Sequence, residues 1–354
     1  MKKTTTVALL FGGASNEYEV SLRSAYAVYC HLPKDYTALL IGITKKGEWY
    51  LYSGEPAAIF DDTWHQKADS LTSLALLLSP RAAFVTADGR HLTPDVIFPV
   101  LHGQNCEDGR LQGLLDLASV PYVGCGCASS ALGMDKAVSK LIAESMGIPV
   151  AKWMLVTRKE VQTKQELDAV ARRIEERFST YPIFVKAVNS GSSVGAYRAN
   201  DSSSLRKALT DAAAVDTKIL VEEFVCGKEI ECAILDKKEG LTAFTPGEIE
   251  PCAEFYDYDT KYKTDSARYH IPARISNECL EKIRHYAAQI FTALGCRHLS
   301  RVDFFVTDDN RVIFNEINTL PGFTSISMYP KMAEAGGLSF EQLVQTLIEE
   351  ALSS

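Results

Sequence analysis

The sequence lacks the features that would point to a membrane, a secreted protein or a nucleic-acid partner. No apolar run approaches the roughly 20 residues that a spanning helix needs. The run after Met1 is too short, and too soon interrupted by Gly12 and Gly13, to be a signal peptide. The formal net charge is -8 and no basic segment occurs, which argues against nucleic acid and anionic membranes as partners. Nine scattered cysteines without a CxxC pair favour reduced thiols in a cytoplasmic protein.

Two common nucleotide-binding motifs are also missing. The chain has no GxxxxGK[ST] segment, so it is not a P-loop protein. Phe11-Gly12-Gly13 follows the first apolar run, but GxGxxG is absent, which argues against a NAD-dependent dehydrogenase. A small-molecule ligand bound in another way remains the expectation.

The patterns that are present predict an α/β fold of several domains. In the first third, apolar runs alternate with helical periodicity, which indicates βαβ units and a mostly parallel, Rossmann-like sheet. A hairpin is predicted at Lys46-Gly47. The pattern changes twice further along. We therefore predict an N-terminal α/β domain over residues 1–124 and two α+β domains over residues 125–221 and 222–354.

A predicted hairpin near the C-terminus places polar residues on strands that otherwise look buried. If Asp309-Asn310 is a two-residue turn, Asp303 faces Glu316 and Arg301 faces Asn318, all on one side of the sheet. Opposed carboxylates repel unless a cation lies between them, and magnesium is the natural candidate. The alternative is a solvated sheet face with an incidental salt bridge from the arginine. Phe314, predicted on the same face as Glu316, does not fit the pattern.

A glycine-serine loop at residues 189–195 follows an apolar strand that carries Lys186 near its end. Such a loop can cover phosphates with backbone N–H groups and hydroxyls, although it can also be a plain turn. Lys136 could be a second phosphate ligand or a solvated lysine on a helix. Carboxylates near Glu222 could accept hydrogen bonds from adenine and ribose, or could lie on an exposed edge strand.

Together these features resemble ATP-grasp enzymes, and four further segments narrow the resemblance. The four segments are GGASNEYEVS (residues 12–21), HGQNCEDG (102–109), FYDYDTKY (255–262) and NTLPGFTSIS (318–327). With them, the set is similar to D-alanine:D-alanine ligases, including the D-alanine:D-serine ligases of vancomycin resistance, over nearly the whole chain.

The resemblance implies a reaction. ATP phosphorylates the carboxylate of a first D-alanine, a second D-amino acid attacks the acyl phosphate, and dipeptide and phosphate leave. The product would be D-alanyl-D-alanine for peptidoglycan precursors. Such chemistry needs charge neutralisation and an oxyanion site more than a protein nucleophile. The resemblance also implies that the central and C-terminal domains clasp ATP, that two Mg²⁺ or Mn²⁺ ions take part, and that the enzyme is a cytoplasmic homodimer.

Site roles carry over onto the matching residues. Glu17 would bind the ammonium of the first D-alanine, with His102 nearby, while Arg301 and the N–H of Gly322 would stabilise the oxyanion. Tyr262 on a closing loop would join Ser192 and Glu17 in a hydrogen-bonded set. The implied metal ligands are Asp303, Glu316 and Asn318. The implied ATP ligands are Lys136, Lys186, Ser192, Ser193, Glu222, Glu223, Val225, Glu229 and Lys261.

The second amino-acid subsite is the part that the sequence leaves open. Ser327 and Met328 would line it, and the apolar Met328 together with Tyr262 favours D-alanine. Residues 41–50 and 272–274 look more like the D-alanine:D-serine group, so D-serine stays as the alternative. Three departures from the family pattern are Cys106 at a usual glycine, Ala187 at a usual proline and Ile326 at a usual histidine or aromatic.

Two other functions are also compatible with the sequence. Another ATP-dependent carboxylate–amine ligase would share the nucleotide and metal residues but should lack Glu17 and the Lys261-Tyr262 pair. A non-catalytic nucleotide sensor would not need the intact set of Arg301, Asp303, Glu316 and Asn318.

Overall fold

The structure is a computed structural model that describes residues 4–78, 84–250 and 268–353. Three β-sheets organise these residues. Each sheet carries helices on its faces, and apolar side chains fill the layers between sheet and helix.

The first sheet combines parallel and antiparallel strands in the order β6-β5-β4-β3-β2-β1-β7. The prediction of a mostly parallel sheet holds only for its centre, where β1 pairs with β2 and β7 in parallel and is buried along most of its length, whereas the other pairings are antiparallel. Residues 36–92 extend the sheet with antiparallel strands, beginning with the predicted hairpin around Gly47. The strands are β1 Thr5–Gly12, β2 Tyr36–Ile43, β3 Trp49–Tyr52, β4 Leu71–Leu76, β5 Phe84–Thr86, β6 His91–Leu92 and β7 Val96–Pro99, with helices α1 Tyr18–Cys30, α2 Ala57–Phe60 and α3 Arg110–Ala118.

The second sheet has four antiparallel strands in the order β10-β9-β11-β8. Two amphipathic helices cover one face, each begun by a side-chain cap, at Thr163 and Asp201. The strands are β8 Trp153–Thr157, β9 Ile183–Ala187, β10 Ala196–Ala199 and β11 Lys218–Glu223, and the later helices are α6 Lys164–Phe178 and α7 Ser202–Val215. Two earlier helices, α4 Cys127–Met134 and α5 Lys136–Ser145, precede this sheet in the chain.

The third sheet is antiparallel, in the order β15-β14-β12-β16-β17, with β13 paired to β12. Helices α4 and α5 contact its edge strand β17, and Ala143 and Ile148 share a core with Phe314. The strands are β12 Lys228–Lys237, β13 Gly240–Ala243, β14 Gly247–Glu250, β15 Arg268–His270, β16 Leu299–Val306 and β17 Val312–Asn318. The remaining helices are α8 Asn277–Ala293, α9 Met328–Ala335 and α10 Phe340–Ser353.

The first and third sheets share one hydrophobic core, in which Val7 and Phe98 belong to the same cluster as Tyr329 and Leu347. This continuity fixes the N-terminal sheet against α9 and α10. Within the residues that the structure describes, no helix is both long and apolar enough to cross a membrane.

The turn that joins β16 to β17 differs from the predicted one. Thr307 O accepts from Asn310 N–H at 2.9 Å and Thr307 N–H donates to Arg311 O at 3.1 Å. Only Asn310 has a positive φ, of 63°. This is a three-residue loop, a type I turn closed by a left-handed residue, rather than a two-residue turn at Asp309-Asn310. The predicted turn was therefore wrong.

A β-bulge nevertheless restores the predicted register at the site. Next to the turn, Phe304 pairs with Phe314, one position out of the expected register. The register shifts before Asp303, so that Asp303 faces Glu316 and Arg301 faces Asn318, as predicted. The extra residue is Asn315, and the shift turns Phe314 into the core, where it is fully buried. The prediction that Phe314 shares a face with Glu316 was wrong for this reason.

Candidate active site

A cavity of about 510 Å³ lies between the second and third sheets, under the loop that joins β9 to β10. Its walls combine lysines, carboxylates and small residues from β9, β11, β12, β16 and β17. Ten residues that were predicted from the sequence to bind ATP or metal line this cavity: Lys136, Lys186, Ser192, Ser193, Glu222, Glu223, Val225, Glu229, Asp303 and Glu316.

The loop over the cavity has an unusual backbone. Ser192 and Ser193 are consecutive non-glycine residues with positive φ, at 49° and 60°. Asn189 anchors the loop through its backbone N–H and its side-chain amide, which donate to Asp216 Oδ2 at 2.7 and 3.0 Å. Left-handed conformations at residues other than glycine cluster at functional sites, and such turns present backbone N–H groups to anions. The geometry therefore suits the predicted phosphate-covering loop.

Two buried lysines hold one carboxylate at the inner end of the cavity. Lys186 Nζ lies 2.5 Å from Glu222 Oε2, and Lys140 Nζ lies 2.7 Å from Glu222 Oε1. Burial would raise the pKa of Glu222, but the two ammonium groups lower it below its ordinary value. Burial and the neighbouring Lys186 lower the pKa of Lys140, against the opposing effect of Glu222. Glu222 is thus an ionised acceptor in the wall of the cavity.

Lys140 and Asn315 belong to this cluster and were missed in the sequence. Lys140 follows Lys136 by one helical turn on α5, a spacing that places both on one face. Asn315 Oδ1 accepts from Lys186 Nζ at 3.1 Å, and it reaches the cavity because of the bulge. The helical spacing was a usable signal, whereas no sequence pattern marked the bulge.

Lys136 connects the covering loop to the third sheet. Its Nζ donates to Ser190 O at 2.7 Å and lies 3.1 Å from Glu316 Oε2. Asp135 caps the N-terminus of α5, so the helix start fixes the lysine in place. Burial alone would lower the pKa of Lys136, but Glu316 raises it above the ordinary value. A lysine so placed can contact an anion between the loop and β17.

The predicted metal ligands meet on β16 and β17. Arg301 donates to Asp303 through Nε and Nη2, at 2.8 and 2.7 Å, and Asn318 Nδ2 donates to Asp303 Oδ2 at 3.0 Å. In the described residues, no three side chains of His, Cys, Asp or Glu form a metal-binding group. The predicted set consists instead of two carboxylates, Asp303 and Glu316, and one amide, Asn318. This hard oxygen set suits Mg²⁺ or Mn²⁺ when phosphate oxygens and water complete the coordination.

The residues assigned to the first amino acid lie beside the covering loop. Glu17 is buried at the start of α1, and a Cβ built on Gly191 would lie 2.5 Å from its Oε1. Glu107 is buried nearby, and burial together with the charge of Glu17 raises its pKa to about 8. The covering loop, which belongs to the second sheet, therefore packs through Gly191 directly against the carboxylate of Glu17.

His102 is close to Glu17, as predicted, but both ring nitrogens are occupied. Nδ1 lies 3.0 Å from Leu320 O and Nε2 lies 3.1 Å from Ser24 Oγ. Burial lowers the pKa of the ring, which favours neutral imidazole. His102 therefore holds the segment that leads to Gly322, and its role beside the first D-alanine stays a prediction.

The second subsite prediction fares differently for its two residues. Ser327 Oγ accepts from Thr324 N–H at 3.0 Å and would lie 2.8 Å from a Cβ on Gly322, so it closely approaches the predicted oxyanion glycine. Met328 instead lies in the hydrophobic core, with its Cε 2.1 Å from the position of a Cβ on Gly247. The assignment of Met328 to the wall of the second subsite stays a prediction.

The remaining predictions concern the closing loop and the departures from the family pattern. Lys261 and Tyr262 lie outside the described residues. Cys106 is buried, with its Sγ 3.0 Å from a Cβ built on Gly13, and Ala187 packs 3.0 Å from a Cβ built on Gly195. Both departures fill tightly packed positions.

Comparison with known proteins identifies the family of the chain. The sequence matches the family descriptions D-ala D-ala ligase N-terminus over residues 6–125 and D-ala D-ala ligase C-terminus over residues 142–349. A D-alanine–D-alanine ligase of Ruminiclostridium cellulolyticum is 48% identical over 98% of this chain and 94% of its own length. One from Caldicellulosiruptor bescii is 46% identical over the same shares.

Solved structures show the same similarity. The VanG D-Ala:D-Ser ligase of Enterococcus faecalis superposes with a TM-score of 0.87 at 39% identity, covering 99% of this chain and 100% of that one. The D-alanine-D-alanine ligase of Coxiella burnetii gives 0.84 at 34% identity, covering 99% and 95%. The fold is that of the ATP-grasp ligases. The chain belongs to the D-alanine–D-alanine ligase family.

Proposed function

We propose that this protein joins two D-alanines to D-alanyl-D-alanine at the expense of ATP, for peptidoglycan precursor synthesis. The observation that carries the proposal is the cavity in which the covering loop and its lysines face the acidic hairpin of β16 and β17. Such an arrangement neutralises phosphate charge on both sides, which is the main requirement of phosphoryl transfer.

In this proposal the three parts of the chain bind different parts of the substrates. Residues 1–124 provide Glu17 for the ammonium of the first D-alanine. Residues 125–221 cover the phosphates with Ser192, Ser193 and the two lysines Lys136 and Lys186. Residues 222–354 bind the nucleoside and the metal, with adenine at Glu222 to Val225, the ribose at Glu229, and Lys261 and Tyr262 on a closing loop.

The metal would be held by Asp303, Glu316 and Asn318. Two Mg²⁺ or Mn²⁺ ions, when bound, supply neutralising charge for the phosphates. Lys136 Nζ lies 3.1 Å from Glu316 Oε2 and donates to Ser190 O of the covering loop. Its ammonium would therefore contact the phosphate that is transferred between the loop and the hairpin.

Oxyanion stabilisation would fall to Arg301 and the N–H of Gly322. Asp303 and Glu231 raise the pKa of Arg301 well above its ordinary value against the effect of burial, so the guanidinium stays charged throughout. His102 fixes the preceding segment through Leu320 O, which holds the glycine N–H in position. A preorganised donor pair of this kind stabilises charge that develops on a tetrahedral carbon.

The second substrate is proposed to be D-alanine, with D-serine as the alternative. Eight curated relatives at 42–48% identity are named D-alanine–D-alanine ligases, while the VanG relative is named a D-Ala:D-Ser ligase. Ser327 and Met328 are the proposed residues of this subsite, and a single hydroxyl contact changes selectivity by only a few kcal/mol. We further propose a homodimer that works in the cytoplasm.

The test is a competition between D-alanine and D-serine at equal concentrations with ATP and Mg²⁺, with dipeptides read by mass spectrometry. We expect mainly D-alanyl-D-alanine together with stoichiometric ADP and phosphate. Asn318→Ala is the control variant and should nearly abolish phosphate release. Predominant D-alanyl-D-serine would contradict the substrate choice, and no ADP-forming turnover with either amino acid would contradict the proposed function itself.

A further inference from the structure

Glu231 is a buried carboxylate in the cavity to which none of the roles above has been given. It lies on β12 directly opposite Asp303 of β16, which in turn lies opposite Glu316 of β17. Residues directly opposite each other in a ladder point to the same face. The three carboxylates therefore form a row across three neighbouring strands, and all of them line the cavity.

Arg301 lies two residues from Asp303 on β16, and its side chain contacts two members of the row. Its Nε and Nη2 donate to the two oxygens of Asp303 at 2.8 and 2.7 Å. The same Nε lies 3.1 Å from Glu231 Oε2. The side chain of Arg301 is 18% exposed and that of Glu231 is 10% exposed, so the pair is largely removed from water.

The proposed function makes two demands on Asp303. It has to offer an oxygen to a divalent cation, yet here both of its oxygens accept from Arg301. A carboxylate that turns toward a cation weakens its hydrogen bonds to the guanidinium. A buried charge that loses its partner costs several kcal/mol, which would then count against metal binding.

We propose that Glu231 is a positioning residue that keeps Arg301 in place while Asp303 turns to the divalent cation. The inference rests on the proposed function, because it requires the metal assignment of Asp303. Glu231 already contacts Nε, so the guanidinium retains a carboxylate partner without moving. Arg301 thereby stays aimed at the oxyanion position, and Asp303 becomes available to the metal at low cost.

The test measures Mn²⁺ affinity directly, by electron paramagnetic resonance of free Mn²⁺ with a non-hydrolysable ATP analogue. We expect Glu231→Gln to weaken Mn²⁺ binding about tenfold, the effect of one lost charge-assisted contact. Glu231→Asp keeps the charge but shortens the reach to Nε, and it should also weaken binding. The matched control is Glu248→Gln, a buried carboxylate of the same sheet that pairs with Arg274 instead. It should leave Mn²⁺ affinity within about twofold.

A double variant separates positioning from simple charge. If Glu231 acts through Arg301, then Glu231→Gln should have little further effect on Mn²⁺ affinity in an Arg301→Gln background. An equal loss with and without the arginine would overturn the inference, as would wild-type affinity in both Glu231 variants. Failure of the unchanged protein to bind Mn²⁺ with the analogue would instead contradict the metal premise of the proposed function, and this inference with it.

Discussion

At the scale of single residues, the buried carboxyl group of Glu107 makes folding stability depend on pH. Its pKa in the folded protein is raised to about 8, by burial and by Glu17, from an ordinary value near 4.5. The folded state therefore retains a proton that the unfolded state releases between these values. Stability from this group is complete below about pH 4.5 and is lost as the pH rises toward 8.

Glu107→Gln should remove this dependence, because the amide resembles the protonated acid. Relative to the unchanged protein, we expect the variant to gain up to about 1.4 kcal/mol in free energy of unfolding per pH unit between pH 5 and 8. Urea unfolding at pH 5.5 and 7.5 measures the difference. Glu278→Gln, with a side chain that is 85% exposed on α8, is the control and should show no such trend. Parallel pH profiles for Glu107→Gln and the unchanged protein would rule out the raised pKa.

Single residues also show which parts of the site the sequence can reveal. Lys136, Lys186 and Glu222 were found from motif position and from charge on an apolar strand, and all three line the cavity. Glu231 follows Glu229 by two positions and so shares its strand face, a signal that was there to be read. Lys140 could be placed on the same helix face as Lys136, but its contact with Glu222 depends on how α5 packs against another sheet.

At the scale of elements, the hairpin of β16 and β17 shows how a correct register can follow from a wrong turn. The predicted two-residue turn is one position off, and the bulge at Asn315 shifts the strand back by one position before Asp303. Sequence periodicity cannot locate a bulge, because the apolar run Val312 to Phe314 reads as a regular strand. The bulge has a use, since it turns Asn315 toward Lys186 while Phe314 stays in the core.

The turn itself supports a test of this geometry. Asn310 is the only residue of the loop with a positive φ, at 63°, so a β-branched side chain there is strained. Asn310→Val should lower the free energy of unfolding by about 1–2 kcal/mol, and Asn310→Gly should be nearly neutral. Asp308→Val is the neighbouring control and should cost less, because that position needs no left-handed backbone. Thermal and urea unfolding measure all three variants. A cost of Asn310→Val no larger than that of Asp308→Val would contradict this turn geometry.

At the scale of the whole molecule, the candidate active site is built from residues on or beside all three sheets. The first sheet supplies Glu17, the second supplies the covering loop, and the third supplies the acidic hairpin. The first and third share a core, so their relation is fixed by packing. The covering loop instead lines a second cavity together with residues 15–17, 103 and 104, and Gly191 closely approaches Glu17 there. The sequence does not predict this contact, because the two residues are far apart in the chain and no sequence pattern links them.

Gly191→Ala tests whether this close approach couples the covering loop to the first amino acid. Its Cβ would come 2.5 Å from Glu17 Oε1, so the loop must withdraw or the carboxylate must turn. We expect the KM for D-alanine to rise about tenfold, with a smaller change in the affinity for ATP, because a misplaced orienting group costs that much. Gly126→Ala is the control, since its Cβ would meet no atom closer than Ser129 Oγ at 3.9 Å. Glu17→Asp shortens the carboxylate, so adding Gly191→Ala to it should cost less than in the unchanged protein. If Gly191→Ala kept the ordinary KM for D-alanine, the loop would not be seated on Glu17 during turnover.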